Sequence, residues 1–303
     1  HFIGANDFVK ARQVFRHAVI CGLAFSVFLS LIGVGIHSPL PYWLGGGADI
    51  ASASSGYFLI YSLVLPFVYL YHTSEMMLKS AGNMHTPSVM AVLVCICDVI
   101  FNYIFIYICK LGVVGAAMGT ALAYICISLP NLYLSACKNR MLNLRQDHVR
   151  FHWVKEYVQR ACKISIPIAI QNILMSGAQI VSTMIVAPLG NIAIAAHSFA
   201  ITAESLCYMP GYGIGDAATT LVGQTHGAGR IDLCKNFAYM NVGLGMLVMA
   251  LMGVVMYVFA PEMIGVLSPV EAIRQLGTTC LRIEAFAEPF FAASIVTYCV
   301  CVG

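Results

Sequence analysis

The sequence predicts an all-α, polytopic membrane protein, a two-lobed helical bundle. Three observations lead to that class. Hydrophobic residues fill 60% of the 303 positions and charged residues only 10%, where an ordinary soluble domain carries about 25% charged residues. Mean hydropathy is +0.84. The apolar residues also fall into runs long enough to cross a bilayer, which takes ~20 of them. In hydrocarbon every backbone polar group must be satisfied internally, so such runs are helical; barrel strands would need only ~10 alternating residues. This composition excludes a disordered chain, a nucleic-acid binder and the common soluble enzymes. A net charge of +3 is too small to indicate a polyanionic partner.

The spans expected in chain order are 14–36, 56–78, 88–109, 113–134, 161–189, 192–222, 237–259 and 276–302. Basic residues orient them. Lys10, Arg12 and Arg16 precede the first span and Lys79 follows the second. Lys138, Arg140, Arg145, Arg150, Lys155, Arg160 and Lys163 follow the fourth, and Arg230 and Lys235 the sixth. These thirteen fall on one side, whereas the opposite loops hold Lys110 and Arg274. The basic side is expected to be cytoplasmic, including the segment before Arg16 and the linker 138–160. Within that linker Val149, Trp153, Tyr157 and Ala161 recur at helical spacing, which suits either an in-plane interfacial helix or a plain linker.

Positions 4–80 and 227–303 show an internal repeat at an offset of 223. Gly4-Ala5 matches Gly227-Ala228, and Pro66-Phe67 matches Pro289-Phe290, with Gly22/Gly245, Leu44/Leu267, Ile50/Ile273 and Ile60/Ile283 between them. Six spans separate the copies, an even number, so the repeat is parallel with its pseudo-two-fold along the membrane normal. Completing both copies implies eight helices of a parental twelve, and a start at His1 together with an apolar end fits a piece of a longer protein. The expected division is an N-terminal lobe at 1–137, a linker at 138–160 and a C-terminal lobe at 161–303.

Ionisable residues inside a bilayer cost at least ~2.5 kcal/mol at the helix centre and tend to line cavities or ion pathways. Asp98, with Asn102 one turn on, lies in the third span, Glu204 in the sixth, and Glu284 and Glu288 one turn apart in the eighth. Carboxylates at that depth can bind and release protons or coordinate Na⁺; the alternative is a static helix–helix contact or neutralisation by Arg282. Asn172, Ser176, Gln179 and Thr183 form a polar stripe on the fifth span, and His197, Glu204 and Tyr208 share a face of the sixth. Facing stripes suggest a wet substrate cavity, or interhelical hydrogen bonding alone. Pro66, Pro167, Pro210 and Pro289 are candidate kinks.

Three other signals are weak. Gly213-Ile-Gly-Asp216 matches the GxGD string of intramembrane aspartyl proteases, but Asp98 follows Cys97 rather than Tyr and the chain contains no Pro-Ala-Leu. The glycine-rich stretch Gly223–Arg230 lacks the Lys-Ser/Thr of a P-loop and reads as a turn. The twelve cysteines include no CxxC pair. No metal site and no cofactor are expected.

Four strings together are specific: Ile3-Gly-Ala-Asn-Asp-Phe-Val-Lys-Ala-Arg12, Lys79-Ser-Ala-Gly-Asn-Met-His-Thr-Pro87, Gly112-Val-Val-Gly-Ala-Ala-Met-Gly-Thr-Ala121, and Pro210-Gly-Tyr-Gly-Ile-Gly-Asp-Ala-Ala-Thr-Thr-Leu-Val-Gly-Gln224 followed by Gly227-Ala-Gly-Arg230. In this order and spacing the chain resembles the multidrug and toxic compound extrusion (MATE) family, from about its third to its tenth helix. The resemblance implies a secondary antiporter of the cell membrane. Such a protein exports organic cations or amphipathic compounds in exchange for H⁺ or Na⁺ by alternating access, and is expected to be a monomer with no cofactor beyond the coupling ion. Members often carry Asn and Asp one turn apart on the fifth helix; here the order is reversed, as Asp98 and Asn102. Some use an acid on the tenth helix, where Glu284 and Glu288 lie. A lipid-linked oligosaccharide flippase shares the architecture but needs a strongly cationic cavity.

Overall fold

The computed structural model describes residues 1–43, 48–139, 141–144 and 153–303. The expected Arg140, Arg145, Val149 and Arg150 lie outside them. Ten α-helices run through the described chain: α1 (Phe8–Ile36), α2 (Leu40–Trp43), α3 (Ala48–Ser80), α4 (His85–Tyr103), α5 (Gly112–Tyr133), α6 (Lys155–Val186), α7 (Asn191–Gly227), α8 (Ile231–Leu267), α9 (Glu271–Glu284) and α10 (Glu288–Val302). One π-helical turn, Ile104–Ile108, extends α4 and another, Leu134–Lys138, extends α5. Seven helices are long and apolar enough to cross a membrane, eight if α9 and α10 form one bent span.

Local sequence explains the helix ends. Asp7 caps α1, accepting the Lys10 backbone N–H at 3.1 Å and pairing with the Lys10 ammonium at 2.8 Å. Helices α3 and α7 close on glycines. Gly82 and Gly229 take φ of +79° and +73°, a left-handed conformation that side chains resist. The next N–H in each case reaches back past the helix end, from Asn83 to the Leu78 carbonyl and from Arg230 to the Thr225 carbonyl, both at 3.0 Å. This is the Schellman arrangement, and the glycine-rich stretch Gly223–Arg230 is therefore a helix terminus.

Two sequence expectations are corrected. The final span is not one helix. It breaks at Ala285–Ala287 and turns by 56°, with Pro289 in the first turn of α10, where its missing N–H costs no bond. Pro66, Pro167 and Pro210 stay inside continuous helices. Likewise, Tyr157 and Ala161 do not belong to a separate interfacial helix. They ride on the first turns of α6, which runs unbroken from Lys155 through Pro167, because the apolar run beyond Ala161 propagates back over the polar residues before it.

The chain forms two compact units. One comprises Phe2 and Asn6–Tyr157, the other His1, Ile3–Ala5 and Val158–Gly303. In the first, α3 packs against α1 and α5, and α4 against α5. In the second, α7 and α8 pack together and hold α9 and α10 between them. Its core joins Cys207 of α7, Met256 and Ile264 of α8, and Leu281 and Ala285 at the α9 end. Helix α6 buries no residue.

The repeat is visible in the helix starts. Phe8 and Ile231 are 223 positions apart. One copy has a broken first span (α1, α2) and a continuous second (α3); the other has a continuous first (α8) and a broken second (α9, α10). The matched glycines also meet each other's neighbours. A Cβ on Gly4 would collide with the Gln224 carbonyl, and a Cβ on Gly227 with the His1 carbonyl. His1 and Gln224 are themselves matched positions, so the contact is reciprocal.

Met256→Ala empties a fully buried site and is expected to destabilise by about 2–5 kcal/mol, whereas exposed Val254→Ala should be near neutral; the thermal midpoint in detergent reads both. At the start of α1, the Lys10 ammonium and then its backbone N–H hold the Asp7 carboxyl below its ordinary 3.8. That stabilisation is complete above the unfolded value and disappears as pH falls through the lower folded one. Amide exchange in the first turn of α1 should therefore accelerate in acid. Asp7→Ala should remove the pH effect together with about 1 kcal/mol of local stability.

Candidate functional site

Three acids from three helices gather in the second unit. Glu284 occupies the last turn of α9, Glu288 the first residue of α10, and the turn Ala285–Ala287 joins them. Glu204 follows Ala203 on α7, and Ala203 and Cys207 pack in one cluster with Leu281 and Ala285 beside the break. Glu288 is 1% exposed, and neither carboxylate oxygen has a hydrogen-bond partner; Glu284 Oε2 is likewise buried and unpartnered. The helix break sets the local field. The positive end of α10 faces Glu288, while Glu284 meets the negative end of α9. One acid thus sits where negative charge is favoured and the other where a bound cation is.

Backbone geometry makes this gathering possible. A Cβ on Gly253 of α8 would stand 2.8 Å from the Ala285 carbonyl oxygen and 3.4 Å from Glu288 Cβ. Only glycine lets α8 approach the break so closely. The turn satisfies its own amides, with Ala285 N–H donating to Leu281, Phe286 to Ile283 and Ala287 to Glu284.

Arg282 does not neutralise Glu284. Its Nε donates to the Tyr257 carbonyl at 3.3 Å, and its guanidinium lies 5.3 Å from the Tyr257 ring centroid. Tyr208 packs edge-on against Phe291 of α10 at 5.9 Å and Tyr212 at 5.7 Å. His197 is partly buried, its Nε2 unpartnered. The polar stripe of α6 is not joined to these residues. Asn172, Ser176, Gln179 and Thr183 are all exposed, and Thr183 donates to the Gln179 carbonyl of its own helix. Among the described residues, no three His, Cys, Asp or Glu side chains converge closely enough to hold a metal ion.

In the first unit Asp98 and Asn102 lie on α4, each with a buried, unpartnered Oδ1. Gly119 of α5 is again the permissive neighbour, since a Cβ there would collide with Asn102 Oδ1. The π turn that begins at Ile104 follows directly; such turns recur at functional sites. Asp216, in the GxGD string, belongs to the other unit.

Sequence reading missed a polar cluster on α3. Glu75 pairs with Lys79 at 2.8 Å and with His72 at 3.3 Å. The Tyr71, His72 and Tyr124 rings are mutually close, and buried Asn131 donates to the Tyr71 carbonyl at 3.2 Å. The signal was present as His, Glu and Lys at i, i+3 and i+7, but Lys79 was read only as an orienting charge.

The profile of the MatE family matches residues 1–104 and 167–303. A multidrug export protein, MepA of Staphylococcus saprophyticus, is 24% identical over 281 residues, covering 93% of this chain and 62% of the relative. The chain thus spans less than two thirds of that relative's length. Among solved structures, an outward-facing MATE-family multidrug resistance transporter superposes with a TM-score of 0.88 at 18% identity, covering 99% of this chain and 69% of the other. A mutant of the Vibrio cholerae MATE transporter VcmN gives 0.88 at 19%, covering 99% and 68%. These likenesses establish the fold.

Gly253→Val should push α8 from the break and open Glu288 to water. Carbodiimide labelling mapped by mass spectrometry should then mark Glu288 in the variant and leave it unmarked in the parent, with a cost of about 1–3 kcal/mol in stability.

Proposed function

The chain belongs to the MatE family, and from that premise we propose a secondary antiporter that exports cationic or amphipathic compounds in exchange for H⁺ or Na⁺. The observation that carries this reading is the pair of buried, unpartnered acids Glu284 and Glu288 on either side of a helix break, with the Ala203–Cys207 turn of α7, which carries Glu204, packed beside it. Buried carboxylates one turn apart do not all stay charged in a low-dielectric site unless cations join them. Protons or Na⁺ supply that charge in one state, and an organic cation in another. Competition for the same carboxylates couples the two fluxes. Asp98 and Asn102 provide a second acidic position, and Tyr208 beside Phe291 an aromatic wall suited to cations.

The relative named as a multidrug export protein supports this substrate class. The proposed frame is a monomer in the cell membrane with lobes at 1–137 and 161–303. The segment before Arg16 and the linker 138–160 face the cytoplasm, in keeping with the thirteen basic residues on that side. A flippase of lipid-linked oligosaccharide would need a strongly cationic lining, and Arg282 is already engaged with Tyr257. The α6 stripe of Asn172, Ser176, Gln179 and Thr183 is retained as a candidate cavity face together with His197.

In the complete protein, Glu288→Gln and Asp98→Asn are expected to weaken ion-driven ethidium efflux by roughly 5- to 150-fold, the span of typical coupling free energies. Intact-cell efflux at varied pH and Na⁺ measures it. Unchanged efflux and unchanged ion dependence in both variants would sink the assignment.

A further inference from the structure

Where α3, α4 and α5 terminate together, a cavity of about 290 Å³ opens, lined by Leu78, Asn83, Thr86, Leu134, Lys138 and Asn139. It contains none of the acids described above. Its side-chain acceptors are already used by the chain. Asn83 Oδ1 accepts the Thr86 N–H at 3.1 Å, Thr86 Oγ1 accepts the Asn83 amide at 2.9 Å, and Asn139 Oδ1 accepts the Met141 N–H at 3.0 Å. The backbone donors fix which end of each amide is oxygen. What remains is a surplus of donors: the Lys138 ammonium, the Asn139 amide and the Thr86 hydroxyl. Among the described residues no carboxylate lines the cavity, and Glu75, one turn before Leu78, is compensated by Lys79 and His72.

Surplus donors with one positive charge suit an anion that carries several acceptor oxygens. The volume stands at the lower bound of small-molecule pockets, about 300 Å³, and no aromatic ring lines it, so it does not suit an organic cation. Its depth is set by the spans Ala51–Ser80, His85–Ile108 and Gly112–Lys138, which end or begin there. That is the level of lipid headgroups. Leu78 and Leu134 supply an apolar wall. We infer that this cavity binds a phosphate group, the chemistry shared by anionic phospholipid headgroups and inorganic phosphate, with Lys138 as the charge partner and Asn139 and Thr86 as donors.

The test places the complete protein in phosphatidylcholine nanodiscs, alone, with phosphatidylglycerol, or with inorganic phosphate. The thermal midpoint and the lipid retained in native mass spectrometry are read. At least one phosphate source should raise the midpoint: phosphatidylglycerol alone identifies a headgroup site, and inorganic phosphate alone or as well identifies a free-anion site. Lys138→Gln should weaken the half-saturating concentration about fivefold, while Lys138→Arg and Lys110→Gln, the latter at the opposite helix ends, keep it. The inference is overturned if neither source stabilises, if sodium chloride at equal ionic strength does as well, or if Lys138→Gln and Lys110→Gln behave alike.

Discussion

Backbone hydrogen bonding without water is the constraint on which this molecule depends. In hydrocarbon an unpaired N–H or C=O costs several kcal/mol, so nearly every stretch at membrane depth is helical. The departure at Ala285–Ala287 is therefore informative. Irregular backbone at that depth is tolerated where its polar groups are satisfied; Ala285 and Glu288 are buried against α7 and α8, while Phe286 and Ala287 face outward. The turn closes its own amides. In exchange the chain gains two helix ends inside the bundle, each with an oriented field, and an acid on each.

Close approach supplies the rest. Gly253 lets α8 touch the break, and Gly119 lets α5 touch Asn102. Both sites thus use the same device, a glycine on one helix facing a polar group on its neighbour. Such contacts replace the hydrophobic drive that is absent between helices in lipid, where packing and small residues hold bundles together.

How much of this the sequence revealed follows from the range of each signal. Span positions were legible because hydropathy is local, and helix starts fall where the repeat places them. The break was not legible, because four prolines look alike in sequence. Pro66, Pro167 and Pro210 sit within continuous helices, and Pro289 begins a new one. Periodicity placed His197, Glu204 and Tyr208 on one face, but it could not say that Glu284 and Glu288 would come to Glu204; that depends on a glycine on another helix. The α6 stripe shows the same limit from the other side, since a polar face is readable and what covers it is not. Glu75 was overlooked because its partners are a turn away on a helix assigned only a topological role.

The reciprocal glycine contact explains an unevenness in the duplication. Each half of that contact is made of a residue without a side chain and a neighbour's carbonyl oxygen. A carbonyl is common to all residues, so the contact restricts the residue type at Gly4 and Gly227 and leaves His1 and Gln224 open. Residue identity at such a pair is set by the space between two backbones, and a side chain at Gly4 or Gly227 would force one of them to move.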